Sequence, residues 1–145
     1  MFTEQNEIHL SSDLVADGTS EVLTAVEDME GFDEITFIVD LGDVDAAAVL
    51  TFTVKENTAN STSSPTPTAV TDAAAVLTES GGNLDDKLVV INVKGRGLTK
   101  RYVFLSITAT VESFEIDSII AIKSMPRVLP VTQPSEVVSL TQVAA

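Results

Sequence analysis

The sequence predicts an all-β fold, an antiparallel β-sandwich or jelly roll, on three observations. Apolar and polar residues alternate with period two through its main apolar runs. Those runs are short, rich in β-branched and aromatic residues, and separated by turn-forming stretches. The one helix-favouring segment, "TDAAAVLTE", allows a helical turn or two, but it is short and uncapped at its end.

Taken in order, "DLVA" and "SEVLTAV" read as short strands near the start. In "EITFIVD", Ile35, Phe37 and Val39 face one way and Thr36, Ile38 and Asp40 the other; "VLTFTVKEN" repeats this with Leu50, Phe52 and Val54 against Thr51, Thr53 and Lys55. Both are strands with one buried face. The stretch "ENTANSTSSPTPTA" has almost no apolar residue and reads as a long exposed loop before a short strand at "TAVTD". "KLVVINV" is nearly continuously apolar, the pattern of a strand covered on both faces. "KGRGLTK" then supplies Gly95 and Gly97 for a hairpin with positive φ. In "RYVFLSITATV", Val103, Leu105, Ile107, Ala109 and Val111 form one face and Tyr102, Phe104, Ser106 and Thr108 the other. "ESFEIDSIIAIK" returns through a turn at "ES", with Ile116, Ile120 and Ile122 sharing a face, for about eight strands in all.

The 145 residues fit one domain. We place the β-sandwich at residues 1–123 and an extended C-terminal arm at 124–145. Pro126, Pro130 and Pro134 recur every four residues there, which excludes helix and central strand. Val128, Leu129, Val131, Val137, Val138 and Leu140 make the arm too apolar for a merely solvated tail, so it is expected to lie on a partner surface.

Charge narrows the function classes. A formal net charge of -14, with only eight Lys and Arg, argues against nucleic acid and an anionic membrane as partners. With no cysteine, disulfides, thiolate zinc and a cysteine nucleophile are excluded. The N-terminus lacks the basic start and apolar stretch of a signal peptide, and no run approaches the ~18 apolar residues of a membrane span. A protein made in a cytoplasm is expected. All acids from Glu4 to Asp45 precede the first base, Lys55, whereas Lys94, Arg96, Lys100 and Arg101 cluster within eight residues. This is either a solvated face or a sign that opposite charges meet, within a subunit or between subunits.

Candidate chemistry is sparse. Asp40, Asp43 and Asp45 surround Gly42 between two strands, as in an Asx-type turn or a weak cation site; Glu56 stands twelfth from Asp45, but a strand fills the interval a calcium loop would need. His9, the one histidine, has no second imidazole or thiol for a metal site, and a serine triad would have to recruit it. Glu79, Asp85 and Asp86 in "ESGGNLDD" form the kind of carboxylate grouping that glycosidases use, though acidic chains produce such pairs in most loops. Tyr102 and Phe104 could stack on a sugar, but the chain has no Trp. No catalytic residue, metal site or cofactor is expected.

The order of "DGTSEVLTAVEDMEGFDEITFIVDLGDVDAAAVLTFTVKENTA", a loop, "KLVVINVKGRGLTKRYVFLSITAT" and a trailing "MPRVLP" resembles the small structural proteins that decorate or cement the capsids of tailed bacteriophages, over roughly residues 14 to 130. The resemblance is one of strands and turns. It implies a jelly-roll β-sandwich, a homotrimer on the capsid surface of the virion, major capsid protein as partner, capsid stabilisation as role and no enzymatic activity. Lys94, Arg96, Lys100, Arg101 and the apolar arm residues Val128, Leu129, Val131, Val137, Val138 and Leu140 are the expected partner-binding positions. The alternative is a phage tail or adhesion module that binds a host glycan.

Overall fold

The computed structural model describes residues 2–127 together with Thr132 and Pro134. The expected arm positions Val128, Leu129, Val131, Val137, Val138 and Leu140 lie outside the described residues. A four-residue helix α1 (Phe2–Gln5) is followed by strands β1 (Asn6–Ser12), β2 (Val15–Gly18), β3 (Val22–Leu23), β4 (Glu27–Asp28), β5 (Phe32–Val44), β6 (Val49–Asn57), β7 (Thr68–Thr78), β8 (Leu88–Lys94), β9 (Tyr102–Thr110) and β10 (Phe114–Pro126). All pairs are antiparallel. One sheet has the order β1-β10-β5-β8, with β2 also on β10; the other has β3-β9-β6-β7, with β4 also on β9.

If β1 with β2, and β3 with β4, each count as one broken strand, the chain has eight positions ordered 1-8-3-6 and 2-7-4-5. This is a jelly roll: all connections cross between sheets except the β6–β7 hairpin. The alternation in the sequence supplies the core. Ile35, Phe37, Val39 and Leu41 of β5, Leu50, Phe52 and Val54 of β6, and Val103, Leu105 and Ile107 of β9 are fully buried between the sheets. Side chains of this kind contribute ~1.5–3 kcal/mol each on burial, so the core needs no disulfide.

Several expectations are corrected. All of "TDAAAVLTE" but its final Glu79 lies in strand β7, where cross-strand pairing with β6 outweighs the helix preference of its alanines. A seven-residue strand at the N-terminus, β1, is not legible in the sequence, because its apolar Ile8 and Leu10 face outward while Glu7, His9 and Ser11 face in. Gly95 and Gly97 serve no positive-φ hairpin. They bracket a 3-10 turn, Gly95–Gly97, that carries the chain from one sheet to the other, and a Cβ on Gly95 would stand 2.7 Å from the backbone oxygen of Asp33. Asp40 and Asp43 belong to β5, which runs on to Val44, so the turn begins only at Asp45. Strand β10 runs three residues past Lys123: Ser124 pairs with both Asn6 and Glu34, and Pro126 pairs with Phe32 as the last residue, where a missing N–H disrupts no further ladder.

Two further corrections matter for function. Register shifts in β10 between Phe114 and Ser118 invert the expected alternation. Ile116 is buried in the core, but Ile119 and Ala121 follow it there, and Ile120 and Ile122 turn to the outer face. Strand β8 is not covered on both sides. It is the edge of its sheet, with Leu88 and Val90 63% and 61% exposed.

Candidate interaction surface

The outer face of the β1-β10-β5-β8 sheet carries one row that is apolar across all four strands. Directly opposed residues point to the same side, so the pairings define rows. Leu10, Ile120, Ile38 and Val90 form one row over all four strands. Ile8, Ile122, Thr36 and Asn92 form the next, and Leu88 adds to the apolar area beside Asp40. Leu10 is 50% exposed, Ile8, Ile38, Ile120 and Ile122 are half-buried, and a polar row of Asn6, Ser124, Glu34 and Lys94 closes one side. An apolar centre with a polar rim is the anatomy of a protein-binding patch.

The two ends of the sandwich differ in charge. At one end Asp43, Asp45, Asp85, Asp86, Glu112, Glu115 and Asp117 come together on and around the β5–β6, β7–β8 and β9–β10 turns, with Lys87 among them. Two of these carboxylates act as struts. Asp45 Oδ2 accepts from Ser113 Oγ at 2.5 Å, and Asp85 Oδ1 accepts from the backbone N–H of Val44 at 3.1 Å. Glu79, buried, accepts from the N–H groups of Gly82, Asn83 and Leu84 and so shapes the loop that also carries Asp85 and Asp86. Among the described residues no three Asp, Glu or His side chains are disposed to hold a metal ion.

The opposite end carries the expected basic residues. Lys94 is exposed at the end of β8 beside Glu34, and Arg96 lies in the 3-10 turn. Lys100 donates to Thr68 Oγ1 at 2.8 Å. Arg101 makes a two-pronged contact with Asp28, 2.7 Å on each side, pairs with Glu30 and lies over the Tyr102 ring at 5.2 Å. Asp28 holds the guanidinium even more firmly protonated, and the same bonds push the Asp28 carboxyl below the usual range. Buried Glu56 fixes the approach to these residues, accepting from Thr99 N (2.7 Å), Thr99 Oγ1 (2.5 Å) and Lys100 N (3.1 Å). Together with Arg127–Asp33 at 2.9 Å and Lys123–Glu7 at 2.8 Å, these pairs show that the acidic N-terminal half and the basic second half meet within one subunit. A cleft of about 570 Å³ at this end is lined by Gln5, Asn6, Asp33, Ser124, Met125, Pro126 and Arg127, and its two charges are the already paired Asp33 and Arg127.

Sequence reasoning missed a polar cluster between the sheets. His9 lies 2.7 Å from Glu7 Oε1 and 3.3 Å from Glu27 Oε2, and Ser11 donates to Glu27 Oε1 at 2.8 Å. Lys123, 5% exposed, closes the cluster between Glu7 and the backbone oxygen of Asp28 and lies 5.0 Å from the centre of the Phe32 ring. Burial raises the Glu27 carboxyl above its ordinary range, against the pull of His9, Ser11 and Lys123. Nothing in the local sequence joins His9 to Glu27; they meet across the sandwich, where β1 of one sheet faces β4 of the other and the Ala25 N–H donates to the Ser11 carbonyl oxygen at 2.7 Å. Phe104 is fully buried and offers no platform beside Tyr102.

No family model and no curated protein matches this sequence. Among solved structures it is similar to the structure of Eiger TNF from S. frugiperda, at 12% identity and a TM-score of 0.37, over 71% of this chain and 66% of that one.

Proposed function

We propose that this chain is a non-enzymatic virion structural protein that decorates or cements a tailed-phage capsid by binding major capsid protein on the head surface. The apolar outer face of the β1-β10-β5-β8 sheet carries the reading. A strongly acidic chain that sets Leu10, Ile38, Val90 and Ile120 in one outward-facing row, its ends Leu10 and Val90 exposed, retains them for a partner surface. The sequence resemblance to capsid decoration proteins supports the same reading. The arm, with Val128, Leu129, Val131, Val137, Val138 and Leu140, adds contact area on a neighbouring subunit or the shell without requiring a large rigid interface. Lys94 is the basic-end cation best placed at the rim of that face, while Lys100 and Arg101 act by shaping the β8–β9 connection. Homotrimer formation on the head belongs to the same proposal. The alternative, a tail or adhesion module for a host glycan, is served less well by a chain without Trp whose Phe104 is buried. Quantifying the protein on purified particles separates the two: a decoration protein is present in many copies per head, an adhesin in few.

A further inference from the structure

We infer that the open edge of β8 is a two-fold contact between copies of this chain, with β8 of one copy pairing antiparallel to β8 of another. Strand β8 pairs with β5 alone, and among the described residues no strand lies on its other side. Sheet edges are usually protected by proline, a bulge, a central charge or a covering segment. From Leu88 to Val93 this edge has no proline and no charge, and its pairing with β5 runs from Lys94–Glu34 to Leu88–Asp40 without a register shift. The β1 edge, by contrast, carries an irregularity between Leu10 and Ser12. Leu88 and Val90 therefore flank a regular, unprotected ladder.

Charge selects a second copy as the occupant. Strand β8 runs from the acidic end, just after Asp86 and Lys87, to the exposed Lys94 at the end where cations and carboxylates pair with one another. Antiparallel pairing reverses one copy, so the acidic end of each meets Lys94 of the other; parallel pairing would set acidic end beside acidic end, at net charge -14 per chain. A two-fold axis at Ile91 places Lys94 opposite Leu88 and diagonal to Asp86 of the second copy, within reach of a long side chain. Val90 then stands opposite Asn92, and the apolar outer face continues from one copy into the next. Such an isologous contact closes on itself. It uses a different surface from the arm and does not depend on the capsid reading.

The test uses the purified chain without heads. Because the sequence has no cysteine, single introduced thiols report cleanly. Val90→Cys mixed with Asn92→Cys is expected to give a disulfide-linked dimer under mild oxidation, whereas either variant alone gives little, since identical positions are offset along the strands. In sedimentation, Lys94→Glu is expected to weaken dimerisation about tenfold. The inference is overturned if the mixture cross-links no better than the single variants, or if Lys94→Glu leaves the association constant unchanged. It is also overturned if the outward amides of β8 resist hydrogen exchange equally at concentrations where the chain is monomeric, because the edge would then be covered within one copy.

Discussion

At the residue scale, buried carboxylates organise this protein. Glu56 answers three donors from Thr99 and Lys100, and removing it leaves two backbone N–H groups without their acceptor. Glu56→Ala is expected to lower unfolding free energy by about 2–4 kcal/mol, measured by denaturant titration. Glu27 makes a pH-dependent contribution of definite sign. Its carboxyl is raised above the ordinary 4.5, so the folded state holds a proton that the unfolded chain releases sooner. The resulting stability is present below the ordinary value and is lost as pH rises through the raised one. Glu27→Gln should therefore gain stability relative to the parent as pH increases over that window; a constant difference between the two melting profiles would refute the assignment. These roles were hidden in the sequence because each depends on a contact between distant segments. Asp43 and Asp45 were visible as a turn-side acidic group, and the structure gives Asp45 a hydroxyl partner. Neither millimolar calcium nor a chelator is expected to move the melting temperature by more than a degree or two.

At the element scale, period-two alternation was readable wherever a strand was regular. Strands β5 and β6 face as the sequence predicts, because every second residue from Ile35 to Leu41 and from Leu50 to Val54 enters one core. Legibility failed where geometry changed the phase. The register shifts in β10 turned Ile120 and Ile122 outward, and β1 places polar residues inside; both elements line the face that carries the proposed function. The apolar run of β8 was visible but was read as buried, since an exposed apolar edge strand and a covered one have the same sequence pattern. The boundary of the arm also moves. Ending the chain after Arg127 should leave the melting temperature within a few degrees of the full chain. Ending it after Lys123 removes the pairings of Ser124 and Pro126 and should lower it further, by several degrees. Equal melting temperatures for the two truncations would contradict this account of β10.

At the scale of the whole molecule, an acidic jelly roll has one outer sheet face that its own described residues leave uncovered, an acidic end, and an end where cations and carboxylates neutralise one another. Its jelly-roll class was legible in the sequence from strand count and turns, whereas the outward-facing apolar row emerged only from register. We propose that this face seats the protein on a capsid. Co-sedimentation of the purified chain with empty phage heads, compared with a Leu10→Glu variant checked for an unchanged melt, tests it most directly. Saturable binding in many copies per head is expected, reduced at least tenfold by the variant. No binding by the parent chain, or equal binding by both, would contradict it.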